Sequence, residues 1–448
     1  MTRLLLRPIV PILALLAVGG TQRRAQPSAA PQQPRPALTV FDPNPNHIWN
    51  RTYACLFVRS GPDGTDYGAD SPDPLLWAET RHLLTGDSHR RALTCLDEFL
   101  GSRAEHLIQD PAERAVLQHD LWAVFDWVNL GVDLPRERLE LEIRLAAAIR
   151  RLALTSEQVR RLPDNYAAAE AARQFAQIYA PHNPREPFLP PDLFRPDGPW
   201  ICLSAFSDKP TALSHFTGRS RFLVFMRLPG GRDATLAYLH GLRASSEPPL
   251  LLDRSSMPVL LNLALPQFPI GTQLALVRQA IIIDDKGGLE PTALTESVQL
   301  RVYHDITPGR QARNFINGPS SHDQDFFEFR MSRPELFARG SGSLVAVLPG
   351  EMEYPTFSTH GTDAFESTSS IDGRSVVLER CRSCHSDSGI HSVQSRLQWM
   401  KHSRRAGERG YDRLHGDPMT WETEVTIASK QHQSAFELLQ RLWRRARD

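Results

Sequence analysis

Apolar positions recur at three- and four-residue spacing from about 73 to 180, which predicts helices. Leu75, Leu76, Leu83 and Leu84 share one face and Gly86 reads as a stop. Ala92, Leu96, Phe99 and Leu100 form the next stripe up to Gly101, with Asp87 or Ser88 as its cap. Asp110-Pro111-Ala112-Glu113 supplies a cap, a first-turn proline and an acid at the third position. The helix it opens carries Val116, Leu117, Leu121, Trp122, Val124, Phe125 and Val128 and ends at Gly131. Leu139, Ile143, Leu145, Ile149 and Leu152 predict a long helix, and Thr155 or Ser156 starts a short one that Pro163 breaks. Five or so helices on short loops predict a small bundle.

Prolines crowd 181–198, and beyond them the period falls to two. Strands are predicted over 200–206, 222–228 and 273–283; the last turns at Asp284-Asp285-Lys286-Gly287-Gly288 and returns over 298–303. The return strand alternates, which directs Gln299, Arg301 and Tyr303 outwards. Shorter strands fit 326–330 and 343–347. With little helix between strands, this region reads as an antiparallel sandwich or barrel. Helix resumes from about 365, with Val376-Val377-Leu378-Glu379-Arg380 and a closing stripe of Val425, Ala428, Ala435, Phe436, Leu439, Leu442 and Trp443. The fold class is therefore α+β and multidomain. A helical bundle is expected over 45–182, an antiparallel β domain over 196–362 and a small all-α domain over 363–448.

The N-terminus changes where this chain is expected to work. Arg3 and Arg7 precede an apolar run from Pro8 to Gly20 and then small residues, the form of a secretory signal peptide over 1–21. A membrane span needs about 20 apolar residues, so neither this run nor any later one is expected to span a membrane. Residues 22–44, rich in Pro, Gln and Ala, read as a disordered linker. Lysine is confined to positions 209, 286, 401 and 430 while arginine is frequent, which fits a GC-rich bacterial source. The expected location is the periplasm or the medium. With 51 basic and 51 acidic residues, no global field argues for nucleic acid or a membrane surface.

One run prescribes a particular chemistry: Cys381-Arg382-Ser383-Cys384-His385. Two thiols three positions apart can form thioethers to the two vinyl groups on one haem edge, and the next imidazole can turn onto the iron. With 5 Cys and 16 His in 448 residues, chance gives this pattern about 0.002 times per chain, so it stands above background. A CxxC disulfide or half of a zinc site are the competing readings; no second CxxC completes a zinc site. Cys55, Cys95 and Cys202 are each flanked by apolar residues, and both a disulfide and simple burial stay open for them. His82, His89, His106 and His119 read as solvated or capping side chains, since no Glu-x-x-His or HExxH spacing accompanies them. Gly230-Gly231 and Gly287-Gly288 read as turns without a phosphate-binding context, and 318–323 as a solvated loop; no nucleophile elbow appears and no catalytic residue is assigned.

On these five residues the C-terminal segment resembles the c-type cytochromes, and its order of helix, CxxCH and closing helix is similar to their class I members. The resemblance implies one covalently attached haem c, with thioethers from Cys381 and Cys384 and His385 as proximal ligand. Met419 takes the place of that family's sixth ligand: it follows Pro418, precedes the last helix and lies 34 residues after His385. His391 is too near His385 for the chain to pass around the haem edge at about 3.4 Å per residue; His402, His415 and His432 stay open. Two features depart from the family. The Gly-Pro-x-Leu stretch that supplies a carbonyl to the proximal imidazole is replaced by Ser386-Asp387-Ser388-Gly389-Ile390, and the loop between the terminal helices is short. The basic run of Arg396, Lys401, Arg404, Arg405, Arg409 and Arg413 could meet haem propionates or an acidic partner, or be a solvated face. The implied function is exported one-electron transfer with a redox partner protein. A haem-dependent oxidoreductase, peroxidase-like and open at its sixth position, and a binding or sensor protein carrying haem c are the alternatives.

Overall fold

Asp110 opens the central helix as its neighbours dictate. Its carboxylate accepts from the Ala112 amide at 2.7 Å and the Glu113 amide at 3.4 Å, and Pro111 occupies the first turn, where its missing N–H costs nothing. The computed structural model describes residues 38–60, 66–68, 81–129, 133–206, 211–212, 218–244, 250–252, 259–261, 264–304, 306, 324–338, 342–353, 375–379, 385, 389–394 and 417–445. The signal peptide, most of the linker, the first predicted stripe at Leu75 and Leu76, the 318–323 loop and Arg396 to Arg413 lie outside these residues.

The helices are α1 (Ile48–Phe57), α2 (Gly86–Gly101), α3 (Pro111–Val128), α4 (Pro135–Leu152), α5 (Ser156–Arg160), α6 (Asn165–Ala171), α7 (Gly231–Ala244), α8 (Arg333–Phe337), α9 (His391–Gln394), α10 (Pro418–Gln431) and α11 (Ser434–Arg445). Gly86, expected to stop a helix, is instead the first residue of α2, with Thr85 as its cap. Thr155 closes a reciprocal capping box with Gln158 at the start of α5, as its sequence implies.

Six strands form one antiparallel sheet: β1 (Ile201–Cys202), β2 (Ser220–Arg227), β3 (Gln273–Ile283), β4 (Leu289–Tyr303), β5 (Gln324–Met331) and β6 (Leu344–Ala346). Each strand pairs with the next in sequence, so the sheet is a meander. At the β3–β4 turn the Asp284 carboxylate accepts from the Lys286 amide at 3.0 Å and the Gly288 amide at 2.6 Å, and Gly287 supplies the φ of +88°.

The sheet is a single layer with cover on both faces, in place of the expected sandwich or barrel. On one face Leu239 and Leu242 of α7, Phe268, Ile390 and Val393 pack against Phe222, Val224, Met226, Leu274 and Tyr303. On the other, Tyr166 and Ala169 of α6 with Phe188, Leu189, Leu193 and Trp200 pack against Leu223, Phe225, Val277, Val298, Leu300 and Val302. Tyr303 and Arg301, expected to face solvent, are therefore buried, at 0% and 8% exposure. Their alternation marks a second covered face, because helix α7 and the turn at α9 lie over it.

From Leu38 onward the chain forms one compact unit, and its largest core crosses the expected domain boundaries. Ile281, Ile283 and Leu289 at the far end of β3 and β4 enter the cluster built by α1 to α4, and so do Phe436, Leu439, Leu442 and Trp443 of α11. Burial of Leu439 and Phe436 contributes roughly 1.5–3 kcal/mol each, so the C-terminal helix is bound to the helical layer by its own apolar stripe. The Gln118 side chain of α3 fastens the junction: it accepts from the Ile283 amide at 3.0 Å and donates to the Ile283 carbonyl at 2.7 Å.

Helix α3 buries 15 of its 18 residues, so its polar side chains must find partners inside. Asp126 Oδ2 accepts from Arg219 Nη1 at 2.6 Å and from Lys430 Nζ at 2.5 Å. Asp120 takes both Nε and Nη2 of Arg333, at 3.1 and 2.5 Å. The Lys430 ammonium also stands 5.1 Å over the Trp122 ring, a cation–π contact. Gly218 is shaped by this arrangement: its φ is +77°, and a Cβ there would stand 2.6 Å from the Lys430 side chain. Nearby, burial is the largest single influence on the Glu296 carboxyl and pushes it up, but Arg278 and His119 together with hydrogen bonds from Arg278 and Ser220 outweigh it and hold the group below its ordinary value.

An Asp126→Ala chain is expected to lose on the order of 3–5 kcal/mol in urea unfolding, because Arg219 and Lys430 lose the carboxylate they share. Arg51→Ala, which removes the exposed Arg51–Glu98 pair, is expected to cost under about 1 kcal/mol. Equal losses would contradict the weight given to the buried carboxylate.

Candidate functional site

His385 and the turn that follows it attach to the face of the sheet covered by α7. Gln324 at the start of β5 donates from Nε2 to the His385 carbonyl at 2.8 Å. Gln267 accepts from the amides of Phe268 and Ile390 at 2.8 and 2.7 Å, which pins the turn from its other end. Gly389 makes the close approach possible: its φ is +51°, and a Cβ there would run into the Gln267 amide.

The imidazole is oriented from within. His385 Nδ1 lies 2.8 Å from the carbonyl oxygen of Ser392, the second residue of α9. A carbonyl only accepts, so Nδ1 carries the proton and Nε2 is the nitrogen an iron would take. Ser392 is fully buried and is itself held. Its Oγ donates to the Gly389 carbonyl at 2.8 Å and meets the Tyr303 hydroxyl at 2.5 Å. With the serine proton spent on Gly389, the tyrosine donates to Ser392, and Arg301 Nη1 donates to the tyrosine oxygen at 3.4 Å. A directed chain thus runs from Arg301 through Tyr303 and Ser392 to the segment that holds the histidine.

The oxygen that meets Nδ1 comes from Ser392, seven residues after His385. A metal-ligating histidine ordinarily donates its other N–H to such an oxygen, which fixes its tautomer and raises its basicity. On that observation His385 fits the role of proximal ligand. Cys381 and Cys384 lie outside the described residues.

Met419 is placed elsewhere. It sits in the first turn of α10, where its amide donates to the Asp417 side chain, and its side chain packs with the cluster on the opposite face of the sheet. His432 ends α10 at an exposed position, while His402 and His415 lie outside the described residues.

The histidines of the helical layer have protein partners. His89 Nδ1 lies 2.7 Å from the Leu83 carbonyl, and His119 Nε2 lies 3.1 Å from the Arg219 carbonyl. Among the described residues no three His, Cys, Asp or Glu side chains group as a metal site. The cavity between α3 and the sheet, bordered by His119, Asp120, Glu296 and Arg333, measures about 10 Å³, room for one water and no substrate. Cys202 lies buried in β1, and burial pushes its thiol up to about 12.

Sequence reasoning passed over Tyr303, Ser392, Gln324 and Gln267. Tyr303 and Ser392 are 89 residues apart and belong to no shared motif. The signal that was present, an alternating strand ending in Tyr303, reads equally well for a solvated face.

No protein-family model, curated protein or solved structure matches this chain. No helix among the described residues is long and apolar enough to cross a membrane.

In protein made without haem, His385 is expected to hold its neutral-form proton on Nδ1, as read in long-range ¹H–¹⁵N spectra, and Tyr303→Phe is expected to increase exchange between tautomers by loosening Ser392. A dominant Nε2–H tautomer in the parent chain would contradict the geometry.

Proposed function

We propose that this chain is an exported monohaem c-type cytochrome that carries single electrons outside the cytoplasm. The observation that carries the proposal is the CxxCH run together with the hydrogen bond from His385 Nδ1 to the Ser392 carbonyl. Haem c, when bound, supplies one-electron chemistry between the ferrous and ferric states. Cys381 and Cys384 would tether it through thioethers. His385 would present Nε2 to the iron, and its hydrogen bond to the Ser392 carbonyl would make the imidazole a stronger donor. The buried Tyr303 and Ser392 hold that carbonyl in position. A redox protein outside the cytoplasm is the proposed partner.

A second reading rests on the position of Met419. Met419 packs with the cluster on the face of the sheet opposite Ile390 and Val393, so a bound haem would take its remaining ligand from another group or from a small molecule. That favours the alternatives of a haem-dependent oxidoreductase or a haem-bearing sensor over a carrier with methionine as its second axial ligand.

Absorption spectra of chain exported from a host with haem-c maturation machinery test both readings. The parent is expected to give covalent-haem bands that His385→Ala alters strongly, and Met419→Ala is expected to leave the spectrum unchanged. Loss of a methionine–iron charge-transfer band in Met419→Ala would overturn the second reading and restore the methionine-ligated carrier. Absence of haem bands in the parent would remove the proposal itself.

A further inference from the structure

Helices α1 and α2 run antiparallel in a register fixed by three successive pairs. Trp49 meets Phe99 with ring centroids 6.1 Å apart. One step along, the Arg51 guanidinium takes both carboxylate oxygens of Glu98, with Nη1 at 2.8 Å from Oε2. One turn beyond Arg51 comes Cys55, and one turn before Glu98 comes Cys95, so the same register sets these two thiols opposite each other, and each is the largest influence on the other's acidity. Cys55 is half-buried and Cys95 buried.

We infer that Cys55 and Cys95 are a dithiol built to close into a disulfide that ties α1 to α2, by exchange with an external disulfide compound. The two sulfurs are prepared for different parts. Its neighbour Cys95 and the positive charges of Arg91 and Arg51 hold the half-buried Cys55 thiol below its ordinary value, so Cys55 is the sulfur placed to attack. Its neighbour Cys55 and burial push the Cys95 thiol up, so Cys95 is the buried partner that follows. Nucleophilic attack needs the thiolate and access, and Cys55 has both.

Cys55 attacks one sulfur of the external disulfide, forming a mixed disulfide and releasing one thiolate. Once Cys55 is in the mixed disulfide, it carries no negative charge to oppose ionisation of Cys95. Cys95 then gives up its proton and attacks the Cys55 sulfur, and the second thiolate leaves. Two protein thiols have been oxidised by two electrons, the external disulfide has been reduced to two thiols, and the two protons end on the leaving groups. Cys202 lies in β1, away from this pair, and takes no part. The inference uses none of the haem chemistry.

The test treats the full chain with oxidised glutathione or with dithiothreitol, quenches with acid, alkylates under denaturing conditions and maps peptides by mass spectrometry. The oxidised sample is expected to yield a Cys55–Cys95 linked peptide that dithiothreitol abolishes, with Cys202 alkylated in both. Cys95→Ser is expected to stop at a glutathione adduct on Cys55, and Cys55→Ser to leave Cys95 unmodified. Full alkylation of Cys55 and Cys95 after oxidation would overturn the inference. So would a glutathione adduct that persists on Cys55 in the parent chain, or a link from either residue to another cysteine. The result on the parent chain stands even if a variant fails to fold.

Discussion

The carboxylate of Asp126 is shared by Arg219, which leads into the sheet, and Lys430, which sits in the penultimate helix. Three parts of the chain separated by 93 and 304 residues thus meet at one buried oxygen. Taking these charges out of water is costly, and that cost is offset only while all three are in place. The same demand recurs along α3, where Asp120 meets Arg333 and Gln118 meets the backbone of Ile283. A helix buried almost all round cannot present polar side chains without prescribing what stands opposite each one. Through these pairs α3 sets where the sheet and the C-terminal helices dock.

That docking determines which face of the sheet each later segment can use. Helix α10 is held beside β2 by Arg221 and Thr423, at 2.8 Å, and by Glu422, whose carboxylate accepts from Ser204 at 2.7 Å. Met419 at its head therefore joins the cluster under α6. His385 and residues 389–393 are held at the other face, where Tyr303 offers a hydroxyl and Phe268, 5.1 Å from Tyr303, an aromatic surface. Residues 389–393 and the head of α10 thus take opposite faces through packing decided far from either.

Much of the local structure was legible in the chain. Asp110 with Pro111, Thr155 with Gln158, and the alternation over 273–283 each signal their element through a mechanism acting over a few residues. Helix α7 was missed because Gly230-Gly231 reads as a turn, although Leu236, Leu239 and Leu242 follow at helical spacing. The proline-rich stretch near 190 reads as a boundary, yet Phe188, Leu189 and Leu193 cover the sheet as an irregular lid. Division into domains was the least legible feature, since a shared core depends on contacts such as Ile283 with α3 that no local pattern announces. For the candidate site, residue types and spacing singled out His385, but no local pattern announced that Ser392, seven residues on, supplies the oxygen that meets its Nδ1.

The central claim is that Cys381 and Cys384 carry a haem that His385 ligates. Mass spectrometry of the peptide spanning 381–385, from chain exported alongside haem-c maturation machinery, addresses it most directly. The account expects that peptide to carry one haem through two thioethers, stable to acid and to reducing agent. A peptide with both cysteines as thiols or as a disulfide, and no haem, would contradict it.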